Sequence, residues 1–243
     1  LIDIPLAFVI LVIAGAAAQS IVGIGFGVIV GPTLLLALGA SGAIQVSIAL
    51  SFLVAITIAP KVYKQVDNRL LGPLIMGALP GTLIGGAISV ALDHAALKIL
   101  GALVVFAMAI TATGILHRVA RPSSSPKKQR ISVGAISGVL NTTLAMPGPA
   151  IAAYAAWVGL NKETTRATTL ATFVLAYPIA FALQVITKGL SPALETVALP
   201  LIIPTLVGTV LGIVLSRYVP QKMFNNLIMI FLFGSGISLL LSL

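Results

Sequence analysis

Apolar residues run along this chain in long stretches, interrupted by short clusters of charged, proline and glycine residues. The interruptions leave eight apolar segments: 4–38, 43–60, 70–92, 95–116, 131–160, 167–187, 192–216 and 223–243. Six of them are 18 to 25 residues long. At about 1.5 Å per residue that length suits one helical crossing of a hydrocarbon core about 30 Å thick. The first and fifth, with 35 and 30 residues, are too long for a straight crossing, since 30 helical residues measure about 45 Å. The pattern predicts an all-α, polytopic transmembrane helical bundle in which these two segments are broken or re-entrant.

The residues able to break them are visible. The first segment carries Gly23, Gly25, Gly27 and Gly31-Pro32; the fifth carries Gly138, Asn141-Thr142-Thr143 and Met146-Pro147-Gly148-Pro149. Pro147 and Pro149 remove two backbone donors within one turn, and Gly148 adds freedom between them. New short helices are expected to begin around 28–33 and around Pro149. A shift of 115 residues lays Gly23 on Gly138 and Pro32 on Pro147. It divides the chain into a first membrane repeat, 1–117, a basic cytoplasmic linker, 118–130, and a second membrane repeat, 131–243. Internal duplication of this kind is characteristic of secondary transporters.

Charge tests how the segments are threaded. If all eight cross once, nine Lys and Arg fall on one side and five on the other; if the two long segments are hairpins, the division is twelve to two. The positive-inside rule favours the hairpins. That threading gives two inverted halves with six crossings and two hairpins, and both termini facing outward.

Composition narrows the class further. Hydrophobic residues make up 59% of the 243 positions and charged residues 8%, against about 25% charged in soluble domains. A chain this short cannot bury so much apolar surface within itself, so lipid covers the rest. The net charge of +9 sits in the gaps between apolar segments rather than on one aromatic-rich face, which excludes a nucleic-acid binder. There are no cysteines, so disulfides and thiol chemistry are excluded. The first residue is Leu1, and no cleavable signal peptide is expected. His94 and His117 lie at segment ends without a second ligand at metal-binding spacing. No metal and no cofactor is expected.

Irregular backbone at membrane depth is tolerated where it lines a cavity or is buried in protein. The two breaks should therefore meet near the midplane. Helix N-termini there carry free N–H groups and partial positive charge, which attract anions. Neutral polar groups lie close by: Gln19, Ser20 and Thr33 in the first half, Asn141, Thr142 and Thr143 in the second. Hydroxyls recur at helical spacing at Ser47 and Ser51, and at Thr164, Thr168 and Thr172. Together with Gly23, Gly25, Gly27 and Gly148 of the breaks, and with Arg166 as a vestibule cation, these residues apart from Thr164 form the candidate substrate-binding set. The competing reading is that the glycines allow close helix packing and the hydroxyls bond their own backbone, with Arg166 snorkelling to headgroups. Trp157, Tyr154, Tyr63 and Tyr218 read as interfacial anchors. No segment centre carries Asp or Glu, which argues against proton coupling through a buried carboxylate.

The glycine-rich first break ending in Gly31-Pro32, the second break at Met146 to Pro149 and the threonine run from Thr164 to Thr172 resemble the sulfite exporter TauE/SafE family. So do the stretches Leu79 to Gly86 and Ile203 to Thr209. The likeness spans nearly the whole chain, although the second break lacks the dense glycines of the first. It implies transport of a small sulfur-containing anion, such as sulfite, sulfoacetate or a related organosulfonate, across a bacterial inner membrane, with no catalytic residues. An anion channel on the same fold and a membrane-embedded enzyme are the alternatives; the enzyme lacks an acid/base pair within the segments. The expected partners are a small anionic substrate and the lipid bilayer.

Overall fold

The computed structural model describes residues 4–91, 93–113 and 126–241. Nine α-helices run through them: α1 (Leu6–Val22), α2 (Phe26–Val62), α3 (Asn68–Ala91), α4 (His94–Ala112), α5 (Pro126–Leu144), α6 (Gly148–Trp157), α7 (Lys162–Lys188), α8 (Leu199–Ser216) and α9 (Gln221–Leu241). A π-helical turn, Leu194–Ala198, leads into α8. No strand occurs among the described residues. The helices containing α2, α3, α7, α8 and α9 are each long and apolar enough to cross a membrane, and the chain is a multi-pass membrane protein. Of the linker 118–130, residues 126–130 are the first turn of α5, and 118–125 lie outside the described residues, as does His117.

Both over-long segments are broken, but not at every residue the sequence suggested. The first break is at Gly23–Gly25, where φ of 89° and 132° at the two glycines ends α1 and caps α2. Side chains rarely adopt such angles, so the glycines cause the break. Gly31 and Pro32 stay inside α2, so the new helix begins at Phe26, earlier than the expected 28–33. A neighbour can compensate for one missing proline donor in a membrane bundle. A second non-helical residue, Gly39 (φ 66°), separates a short first part of α2 from a long second part beginning at Ala40. The second break is at Ala145–Pro147, with Ala145 itself left-handed at φ 54°. The breaks are thus offset by 122 residues rather than 115, and Gly138 lies inside α5, not at its end.

What Gly138 does instead is admit another backbone. A Cβ at Gly138 would collide with the Ala78 carbonyl and one at Gly134 with the Leu74 carbonyl; Gly77 and Gly81 face Ile131 and Ala135 in return. Residue numbers rise together along the contact, so α3 and α5 are parallel. Gly208 and Gly212 of α8 meet Ile13 and Ala17 of α1 in the same sense. Stripes of small residues let membrane helices approach this closely. Thus α1 packs on α8 and α5 on α3, while α2 packs on α7 and α4 on α9.

Apolar residues fill the core and also cover the outside, and polar side chains in the membrane segments lie between helices. Gln19, Gln45, Asn141, Thr172, Gln184 and Thr209 are all buried, while Leu6, Leu36, Ile186, Ile203 and Leu241 face outward. Hydrocarbon tolerates the apolar exterior, and polar side chains find partners only between helices.

Substitution of Gly138 by Leu should separate α3 from α5, with loss of monodisperse protein or a stability loss above the ~1–3 kcal/mol typical of overpacking. Gly72→Leu, where a Cβ would meet nothing within 4 Å, should leave the thermal unfolding curve in detergent almost unchanged.

Candidate functional site

The two long segments double back. Arg130, near the start of α5, donates from Nε to the Tyr154 hydroxyl near the end of α6 (3.2 Å) and from a terminal nitrogen to the Arg69 carbonyl at the start of α3 (2.9 Å). The end of α6 therefore returns to the face that α5 left. In the first half, α1 begins on the face where α8 begins. The second part of α2 starts there too, because Gln45 bonds the Gly189 carbonyl (2.8 Å) and the Ser191 N–H (2.9 Å). At about 1.5 Å per residue, the ten residues of α6 reach about 15 Å, half of the hydrocarbon core.

The breaks meet. A Cβ on Gly27 would lie 2.9 Å from the Ala145 carbonyl oxygen, and one on Gly148 would strike the Ile24 side chain. Gly25, Gly27 and Val28 from one break and Met146, Gly148 and Pro149 from the other line one cavity of ≈ 20 Å³, with Gln19, Phe173 and Tyr177. That is room for about one water-sized group. Neither α2 nor α6 has a side-chain cap at its N-terminus, so their first N–H groups are left for whatever occupies the space between the helices.

Gln19 donates to the Ser51 carbonyl (2.9 Å), which holds α1 to the second part of α2. Asn141 is fully buried; its amide nitrogen donates to the Ala176 carbonyl at 3.4 Å and its Oδ1 has no partner. Ser137 donates to the Pro147 carbonyl (2.9 Å), pinning the second break to α5.

On one side of this constriction is a vestibule of ≈ 260 Å³ lined by Ile21, Lys162, Glu163, Arg166, Arg217 and Phe224. The Lys162 ammonium donates to the Val219 carbonyl (2.6 Å) and lies 3.7 Å from Glu163. The Arg166 Nε is buried with no hydrogen-bond partner. Asn161 caps α7 by accepting from the Thr164 N–H (2.8 Å), which fixes where Arg166 enters. Gly23 packs on the backbone of Arg166 and on Thr169, and the Ser20, Thr165 and Thr169 hydroxyls near this contact have no partner. On the other side a second cavity of ≈ 20 Å³ is lined by Ser47, Lys98, Thr143 and Met146.

The candidate residues thus divide. Gln19, Gly25, Gly27 and Gly148 line the junction, Asn141 lies buried on α5 before the second break, Ser20, Gly23 and Arg166 lie toward the wide vestibule, and Ser47 and Thr143 line the narrow one. Ser51 serves through its carbonyl. Thr142 bonds the Thr82 and Gly138 carbonyls (3.2 Å each), Thr168 accepts from the Asp67 N–H (3.1 Å) and Thr172 donates to Thr168 (2.8 Å), so these three are structural ties. Thr33 is exposed on the outer face of α2, away from the junction. The sequence missed Thr165 and Thr169, adjacent to the stripe it singled out, and read Lys98, Lys162 and Arg217 only as topology determinants. Its one available signal was that five threonines crowd the first turns of α7, populating two faces at once.

Crossing helices around two re-entrant, broken helices whose N-termini meet in the interior form the architecture of a membrane transport protein. The family model described as sulfite exporter TauE/SafE matches residues 7–239, and the chain belongs to that family. No curated protein matches the chain, and no solved structure does.

The chain has no cysteine of its own, so single introduced thiols report access cleanly. The Ile21→Cys and Ala40→Cys variants, one at each cavity, should react with a membrane-impermeant thiol reagent from opposite faces of sealed vesicles. Labelling of both from the same face would contradict the arrangement of the two cavities.

Proposed function

We propose that this protein is a secondary transporter that exports a small sulfur-containing oxyanion, such as sulfite or an organosulfonate, across the bacterial inner membrane. The reading rests on one observation above all: two half-helix N-termini without side-chain caps converge on a single interior cavity. Partial positive charge from both helix dipoles favours an anion there, and no lysine or arginine need be buried at the midplane. Gln19 adds a neutral amide group to the cavity lining. The family to which the chain belongs supports the sulfur oxyanion as cargo.

The wide vestibule supplies the approach. Its three cations outnumber its one carboxylate, so it concentrates anions at its mouth. The positive-inside distribution, twelve basic residues against two, assigns that mouth to the cytoplasm. An inside-negative potential then drives an anion outward by about 2.3 kcal/mol per charge per 100 mV. The constriction and the far cavity each have room for about one water. The pathway is thus wide on the Arg166 side and closed beyond it, as one state of an alternating cycle would be. Release requires the two interlocked, inverted halves to rock so that the Lys98 side widens.

Reconstituted protein should carry sulfite in a saturable manner. Removing a hydrogen-bond donor to a charged ligand costs about 1.5–3 kcal/mol. Gln19→Ala, which removes the amide side chain lining the cavity, is therefore expected to lower kcat/KM about tenfold or more. Arg166→Gln should raise KM and flatten the dependence of flux on ionic strength while leaving maximal flux nearly intact. Stabilisation of the purified protein by cations alone, with no response to sulfite or sulfonates, would refute the anion site.

A further inference from the structure

Away from the pathway, α4, α5 and α6 enclose a groove of ≈ 650 Å³ that opens toward lipid. Its walls are almost wholly apolar, with Met108, Val133, Ile136 and Ala153 along its length, and Lys128 stands at one end. From Lys128 to Ile136 is eight residues of α5, or about 12 Å, close to the ~15 Å depth of one leaflet. Tyr154 and Trp157 lie at the same end as the lysine, their ring centroids 6.2 Å apart, where amphipathic rings favour the headgroup level. None of the lining residues is acidic. Arg130 is committed to Tyr154 and the Arg69 carbonyl, whereas Lys127 and Lys128 are exposed beside it.

We propose that this groove holds an acyl chain of one anionic phospholipid whose phosphate sits on Lys128. An apolar slot of one leaflet's depth with a cation at its polar end matches both parts of such a molecule. The bound chain would lie against Ala150 and Ala153 of α6, the half-helix that carries the second break. Lipid occupancy would therefore brace α6 from the side opposite the pathway, making the break's position sensitive to membrane composition. This inference stands independently of the transported ion.

Trp157 is the only tryptophan in the chain and lines the groove, so its fluorescence reads occupancy directly. The intact protein in vesicles would be titrated with brominated phosphatidylglycerol or brominated phosphatidylcholine at equal mole fraction. The anionic lipid should quench with an apparent preference of about fivefold, the factor expected for one lysine. Lys128→Glu should abolish that preference, and Lys222→Glu, on the same face but outside the groove, should preserve it. Ala107→Phe, which fills the groove from the exposed side of α4, should reduce quenching by both lipids. Equal quenching by the two lipids, an unchanged preference in Lys128→Glu, or absence of quenching by either would overturn the proposal. The last outcome would mean that another segment fills the slot.

Discussion

A backbone N–H or carbonyl without a partner costs several kcal/mol in hydrocarbon, and this chain interrupts its helices twice at membrane depth. The freed groups at Gly23–Gly25 and Ala145–Pro147 survive there because each break is the other's cover. Gly27 lies against the Ala145 carbonyl and Gly148 against Ile24. Short-range bonds take up part of what remains: the Gly23 N–H returns to Gln19 (2.8 Å), and Ser137 meets the Pro147 carbonyl. Such mutual cover holds only if α1 and α5 are fixed in depth. Their glycine-lined contacts with α8 and α3 do this, because backbone-to-backbone packing leaves little room to slide. The stripes of small residues therefore set the height of the breaks, and the breaks set the cavity.

The interior that results is polar without being charged. Amides and hydroxyls occupy the buried positions, and lysine and arginine stop at the vestibules. An ionised side chain at the midplane is costly and, if basic, would hold an anion tightly enough to slow its release. On the proposed reading, helix N-termini and neutral donors would give weaker, better-balanced attraction, which suits a solute that must enter and leave. Ala145, at φ 54°, adds a strained left-handed residue at the second break where the first break has Gly23. Strain of this sort marks a place where the chain is held by its surroundings rather than by its own preference.

The membrane class, the number of apolar segments and the need for two breaks were legible from segment length alone, because a hydrocarbon core has one thickness and a helix one rise per residue. The identity of the breaking residues was only half legible. Glycine has two uses in lipid, freedom of φ and absence of a Cβ, and a sequence does not distinguish them. Gly23 and Gly25 serve the first use; Gly138, expected to serve it, serves the second. Likewise a run containing Thr164, Thr165, Thr168, Thr169 and Thr172 offers hydroxyls on two adjoining faces of a helix. The face with unpartnered hydroxyls is that of Thr165 and Thr169, while Thr168 accepts from the Asp67 N–H just before α3 and Thr172 donates within its own helix.

By itself, then, the sequence determined that the chain lies in a membrane and that its two long segments cannot run straight. These follow from local quantities: length and hydropathy. Only the tertiary structure decided that the breaks are 122 residues apart and touch, that α1 pairs with α8 and α5 with α3, and that Thr33 faces outward while Arg166 opens on a vestibule. Those outcomes depend on how a helix is rotated about its axis and which backbone its glycines admit. Rotation is set by the neighbour, and the neighbour lies a hundred or more residues away in the chain.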